Sequence, residues 1–430
     1  MNINQIALAT ALILLTVPGS GVQSFDKTEI ISLPKTAAVL EAAARLHLDL
    51  LSERDGRIFV VAPPDIRRII EAEGLAYLLE TERFAPAAAE ADSPLLSSPI
   101  GDYHTHQELE DDLYALEAGY PGLAKVVTIG YSLENRTILA LKVSDNVEAD
   151  EGEPGAIFLG CHHAREWISV EVPFLFGKHL LEHYTSDPEV RRLVDSAEIW
   201  VVPMVNPDGH DFSVRVYRYW RKNRRQNSNG TFGVDPNRNY GFAWGFDNTG
   251  SSPNPNSDVY RGTAAFSEPE TAAVRDFVLS RNFGSMVSYH SFSQLIMYPW
   301  AYADIASARE AEFIDLTARM AELMAAVNGR VYGTGRSGET LYVVNGDTGD
   351  WAYAETGMAS LCIELPPLET YQGAFFNAEA DIAGIFAENL PAMLYLVDWT
   401  LTHPNPGPEP GLVNPRPLRP ERKRGPGPIR

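Results

Sequence analysis

The sequence predicts an α/β protein: a mixed, mostly parallel twisted sheet flanked by helices on both faces, preceded by a small α+β unit. Three observations predict it. Between Tyr103 and Thr402, short apolar runs alternate with stretches of helical spacing, the pattern of a sheet covered by helices. A shorter alternation of strand and helix runs from Glu29 to Leu79, and an Ala-rich stretch with Pro86 and Pro99 separates the two; such composition marks an exposed, cleavable linker. Finally, 430 residues, 45% hydrophobic and 21% charged, suffice for one large core and a small one.

In chain order, the apolar run Ile6 to Leu15 followed by Pro18, Gly19, Ser20 and Gly21 reads as a signal peptide over 1–24. It is too short to span a bilayer, and no transmembrane segment is expected in the mature form. The small unit, 25–80, carries strands at Glu29–Leu33, Arg57–Val61 and Ala76–Leu79, with helices from Thr36 to His47 and Pro64 to Glu73. The linker occupies 81–100. In the main domain, 101–402, helices are expected from Gln107 to Ala118, Val170 to Tyr184, Pro269 to Ser280 and Asp381 to Thr402. Strands are expected at Thr137–Val143, Ala156–Leu159 and Ile199–Val205, with another running into His290 and one ending near Leu365. Residues 403–430, about a third proline and rich in Arg, read as a disordered tail that cannot form a core.

A net charge of −22 and a pI near 4.9 exclude a nucleic-acid partner, which would require clustered Lys and Arg. The two cysteines, Cys161 and Cys362, make no disulfide framework. Buried free thiols are the expectation.

The chemistry concentrates in Gly160-Cys161-His162-His163-Ala164-Arg165-Glu166-Trp167. Three residues apart, His163 and Glu166 can converge on one point as a metal half-site. A catalytic zinc takes three protein ligands and leaves one position open, so another His must arrive from elsewhere; His290, at the end of an apolar run, is the candidate. Ligands on such sheets gather at the carboxyl ends of strands. Metal-assisted amide hydrolysis also needs a carboxylate base, a cation for the oxyanion and a planar fork for a substrate carboxylate. Glu364, closing the apolar run Leu361 to Leu365, suits the base, since burial raises a carboxyl's pKa.

With Asn206-Pro-Asp-Gly209, Trp220-Arg221-Lys222-Asn223-Arg224, Pro236-Asn237-Arg238, His290-Ser291 and Glu364 in the same order, residues 103–402 resemble the zinc carboxypeptidases of the A and B type, and among them the secreted bacterial carboxypeptidase T-like enzymes. The resemblance implies one Zn2+ held by His163, Glu166 and His290, with Asp235 orienting His163. It implies that Arg238, with Asn237 and Tyr342, holds a peptide's terminal carboxylate, which makes the enzyme an exopeptidase. Arg221 would stabilise the oxyanion, Arg165 would touch the substrate further along, and Glu364 would activate the water and protonate the departing amine. Tyr342 lies in a Gly-containing stretch resembling the family's mobile loop.

Gly349 stands where the family carries a residue that selects the substrate's last side chain, and Asp347 replaces a small residue. These departures predict broad specificity: apolar and aromatic C-terminal residues, with some Lys or Arg drawn by Asp347. The unit before the linker resembles the family's inhibitory propeptide, which makes it the chain's own inhibitor and the protein a secreted or periplasmic zymogen. Two other readings are a zinc amidohydrolase of the aspartoacylase kind and a catalytically silent peptide-binding relative.

Overall fold

Two separate sheets organise the chain. The computed structural model describes residues 29–46, 48–62, 64–80, 100–368 and 375–416; the expected signal segment, residues 81–99 of the linker and the end of the tail lie outside the described residues.

The small unit runs β1 (Glu29–Pro34), α1 (Ala37–Leu46), β2 (Asp49–Arg54), β3 (Arg57–Ala62), α2 (Pro64–Ala72) and β4 (Leu78–Leu79). Its strands lie in the order β2-β3-β1-β4, each neighbouring pair antiparallel. Strand β2 is absent from the sequence expectation because Asp49-Leu-Leu-Ser-Glu-Arg54 is largely polar. Yet Asp55 and Gly56, both at positive φ (51° and 70°), turn it into β3, and Asp-Gly is the residue pair such a hairpin turn favours. Leu33, Val39, Val60 and Ile70 fill the unit's own core.

The main domain begins with α3 (His106–Gly119), whose start Thr105 and Glu108 fix as a reciprocal capping box. Then come β5 (Ala124–Tyr131), β6 (Thr137–Val143), β7 (Gly155–Leu159), α4 (Ile168–His183), α5 (Pro188–Val194), β8 (Glu198–Val202) and α6 (Pro207–Arg215). The second half holds α7 (Pro269–Leu279), β9 (Phe283–Ser291), β10 (Leu295–Tyr298), α8 (Glu310–Asn328), β11 (Gly333–Arg336), α9 (Ser337–Thr340), α10 (Thr348–Thr356), β12 (Ala359–Leu365) and α11 (Ile382–Thr402). The eight strands order as β11-β10-β12-β9-β7-β8-β6-β5. The central run β12-β9-β7-β8 is parallel, and antiparallel pairs flank it on both sides. The sheet is therefore mixed, as expected, with its parallel character confined mainly to the middle.

Several expectations change. The strand placed over Ile199–Val205 stops at Val202, and Asn206 instead caps α6, its side chain accepting from the Gly209 amide. Helix α8 was not expected, although its buried Phe313, Leu316, Met320 and Met324 recur at helical spacing. Helix α11, from its short lead-in at Glu379, is long and apolar enough to cross a membrane. Its buried Ile385, Met393, Leu396 and Val397 belong to the main core, so it is a core helix here. The tail is not free in its described part: Asn405 donates to Phe283 O, and Asn414 both accepts from Ala243 N and donates to Gly241 O. Both cysteines are free thiols.

His210, on α6, is buried against Cys161 and Trp167 and bonds the His104 carbonyl at 3.0 Å. Burial holds its pKa at about 4. An unfolded imidazole protonates near 6.5, so stability is complete above that pH and declines as pH falls toward 4, by roughly 3 kcal/mol at about 1.4 kcal/mol per unit. The expected result is that His210→Gln flattens the difference in urea midpoint between pH 6.5 and 4; an unchanged slope refutes the assignment.

Candidate active site

The site stands at the carboxyl ends of β7, β9 and β12, adjacent parallel strands. Past β7 the chain turns sharply into α4. A side chain at Gly160 would run into the Ser169 and Pro203 carbonyls, at 2.1 and 2.6 Å from a Cβ, so only glycine fits. Ser169 Oγ then accepts from Cys161 N and donates to Glu166 O, pinning the loop.

The loop aims His163 and Glu166 at one point, and β9 brings His290 to it. His163 Nδ1 lies 2.8 Å from Glu166 Oε1; His290 Nδ1 lies 3.0 Å from Glu166 Oε2 and 3.0 Å from His163 Nδ1. All three side chains are buried. Ligand atoms around one tetrahedral zinc at about 2.0–2.1 Å sit about 3.3 Å apart, close to these spacings. Two imidazole nitrogens and a carboxylate, all buried and facing one another, suit a cation, so the residues fit a zinc ion. Glu166 is held well below the usual carboxylate range although burial opposes this, because both imidazoles surround it.

Each outer nitrogen also faces a polar neighbour. His163 Nε2 lies 3.3 Å from Asp235 Oδ1, close but off the line of a hydrogen bond, and His290 Nε2 lies 3.0 Å from Ser288 Oγ. Asp235 caps the short turn Pro236–Arg238 through the Asn237 amide. Its other oxygen accepts from Arg221 Nε and Nη2 at 3.0 and 2.9 Å. Burial alone would raise Asp235, but Arg221, Arg238 and His163 hold it well below its ordinary value.

Strand register delivers the base candidate. Glu364 of β12 pairs directly with His290 of β9, and its Oε2 is buried without a hydrogen-bond partner among the described residues. Burial, reinforced by Glu166 and opposed by His290 and Arg221, raises Glu364 to about 8. One cleft, enclosing about 410 Å³ with its open mouth included, is lined by His163, His290, Arg221, Asn237, Arg238, Tyr342, Asp347 and Glu364 together.

Four expected site residues fall outside that lining: Glu166 and Asp235, which stand against the histidines as described, and Arg165 and Gly349. Arg165 is buried, its guanidinium 4.1 Å from the centre of the Phe375 ring. Gly349 is set back in the first turn of α10, where its amide donates to Asp347 Oδ2 at 3.0 Å. A Cβ there would meet that oxygen at 3.1 Å, so Asp347, rather than an open floor, closes this part of the cleft. Sequence reasoning missed Met297, Ser337, Leu341, Val344 and Cys362 on the cleft wall. Cys362 had a signal, because it precedes Glu364 by two on one strand and so shares its face. His162 was also passed over. It is fully buried, bonded to Ser288, Tyr240 and Thr348, and burial together with the neighbouring imidazoles keeps it well below the usual histidine range.

The zinc carboxypeptidase family pattern matches residues 109–392. A zinc carboxypeptidase of Saccharothrix mutabilis subsp. capreolus is 31% identical over 399 residues, 87% of this chain and 90% of that protein. Carboxypeptidase A1 of Sus scrofa is 32% identical over 79% of this chain and 80% of its own length. The crystal structure of a carboxypeptidase A from Helicoverpa armigera shares the fold with a TM-score of 0.73 at 24% identity, covering 88% of this chain and 98% of its own. With a His-Glu-His group fit for the metal and a matching pattern across the main domain, this chain belongs to the zinc carboxypeptidase family and is a metallo-exopeptidase hydrolase.

Proposed function

We propose that the protein is a secreted carboxypeptidase of broad specificity, in which Glu364 is the general base for removal of the C-terminal residue of peptides and proteins. The observation that carries this reading is the pairing of Glu364 with His290, which sets a carboxyl whose Oε2 is buried and without a partner among the described residues in the cleft lined by His163, His290, Arg221 and the Asn237–Arg238 pair. His163, Glu166 and His290 would hold the zinc ion, which when bound would supply Lewis-acid polarisation of the scissile carbonyl and a more acidic water. Glu364 takes the water's proton and returns it to the departing amine. Arg221, fixed by Asp235, faces the developing oxyanion, and Asp235 in turn keeps the His163 ring oriented. Arg238, Asn237 and Tyr342 hold the terminal carboxylate, a fork geometry suited to Arg. A peptide ending in a free carboxylate should be shortened and its C-terminal amide left intact; equal cleavage of the two sinks the clamp.

Asp347 closes the pocket with a carboxyl that burial raises to about 6, so it attracts a cationic last residue chiefly above that pH. The kcat/KM ratio for Arg-ending over Phe-ending peptides is expected to rise through about pH 6 and to lose that rise in Asp347→Ala. No Arg cleavage, or a ratio indifferent to the substitution, defeats the idea.

Secretion is supported by the apolar run Ile6 to Leu15. The small N-terminal unit is the chain's own inhibitor: its Ile30, Phe59 and Val61 pack on Tyr219, Phe292 and Phe375 of the main domain. Phe292 follows the ligand-bearing strand by one residue, and Phe375 stacks with Arg165; this contact supports a unit that covers the approach of the upstream part of a substrate. Cleavage in 81–100 is expected to raise activity on a tetrapeptide; an equally active full-length protein refutes the inhibitory role.

A further inference from the structure

A buried line of side chains runs behind the cleft, from the metal-facing histidine of β9 to the turn that carries Asn237. His290 Nε2 lies 3.0 Å from Ser288 Oγ, which lies 3.1 Å from His162 Nδ1. On the other side of the ring, His162 Nε2 lies 3.1 Å from Thr348 Oγ1 and 2.8 Å from Tyr240 Oη. Thr348 reaches Asn237 Oδ1 twice, through its amide at 2.9 Å and its hydroxyl at 2.8 Å. His162, Ser288, His290 and Thr348 are each at most 2% exposed, so water cannot substitute for a missing member.

We propose that His162 is a positioning residue: through Ser288 and Thr348 it couples the ring orientation of His290 to the orientation of the Asn237 amide, tying metal binding to recognition of the substrate's terminal carboxylate. This rests on the ligand and clamp roles given above.

The direction of the line follows from donor and acceptor chemistry. A backbone N–H can only donate, so the Asn237 atom that meets the Thr348 amide is its oxygen. That leaves Nδ2, the donor end, for a carboxylate in the cleft that Asn237 lines. At the other end, His290 turns Nδ1 toward Glu166 and His163; if Nδ1 is the ligand atom, the ring's proton is on Nε2 and goes to Ser288. The Ser288 hydroxyl then donates to His162 Nδ1. His162 carries its own proton on Nε2, toward Thr348 and Tyr240, and the Thr348 hydroxyl donates to Asn237. This orientation matches a donor to an acceptor at each step from His290 to Asn237. Reversing it would put the His290 proton on Nδ1 and turn the ligand atom into a donor. A phenylalanine at 162 keeps the ring's shape and strands the Ser288 proton and one Thr348 lone pair, which are costly to bury unpaired.

The test uses the full chain with His162→Phe, Ser288→Ala and Thr348→Val, measuring zinc affinity by competition with a chromophoric chelator and, at saturating zinc, kcat and KM on a Phe-ending peptide. His162→Phe is expected to weaken zinc binding by about 10- to 100-fold and to raise KM by roughly 3- to 10-fold, with kcat nearly unchanged. Ser288→Ala should move mainly the zinc affinity and Thr348→Val mainly KM. These two variants decide the matter even if His162→Phe does not fold. Zinc affinity unchanged in both His162→Phe and Ser288→Ala, or KM unchanged in Thr348→Val, overturns the coupling while a zinc-binding, active parent protein keeps the ligand and clamp reading intact. A parent protein that binds no zinc sinks both.

Discussion

Glu364→Gln is expected to lower kcat by about 10²- to 10⁴-fold, the range that a positioned general base contributes, while KM and zinc affinity stay close to those of the parent. The reason is in the environment of the carboxyl. Glu364 occupies the cleft with an oxygen that has no partner among the described residues, so glutamine keeps the volume and removes only the ability to take a proton. Burial raises the group to about 8 without a metal, and a nearby dication favours the ionised form, so the loaded enzyme should show an acidic limb of kcat/KM below that value. That limb should disappear in the variant. A Glu364→Gln protein that keeps even a tenth of the parental kcat removes the carboxyl from the role of base.

Chelation is expected to abolish peptide hydrolysis and zinc to restore it, and the same treatment should lower the melting midpoint. His163 and Glu166 come from the loop after β7 and His290 from β9, so a bound ion cross-links two segments far apart in the chain. At free zinc a thousandfold above Kd, this linkage stabilises the fold by about 4 kcal/mol. In a domain of this size that corresponds to a midpoint shift of roughly 6 °C. His290→Ala should lose both the activity and the response to zinc, because two ligands alone no longer enclose the ion. A chelator that leaves activity and melting untouched would contradict the ligand set.

Much of this site could be read before any coordinates. The spacing of His163 and Glu166 is local, and a turn of chain suffices to bring them together. Glu364 was marked by its place in an apolar run. What escaped was of two kinds. Helix α8 had a readable apolar stripe, and the β2-β3 hairpin had its Asp-Gly turn, so those signals were present and local. The set-back position of Gly349 and the burial of Arg165 under Phe375 had no local signal, since each depends on a partner that the fold supplies.

By itself, the sequence supplied the candidate donor groups and, through its resemblance to the zinc carboxypeptidases, the roles proposed for them. Imidazole, carboxylate and guanidinium groups keep the same donor, acceptor and ligand atoms wherever they sit, and short motifs keep neighbours together. The tertiary structure alone decided that Glu364 stands beside His290, that Asp347 lines the cleft, that His162 bridges Ser288 and Thr348, and that the N-terminal unit packs on Phe292 and Phe375. Those are matters of strand register and of contact between segments remote in the chain, and they follow from packing the whole core rather than from any one stretch of residues.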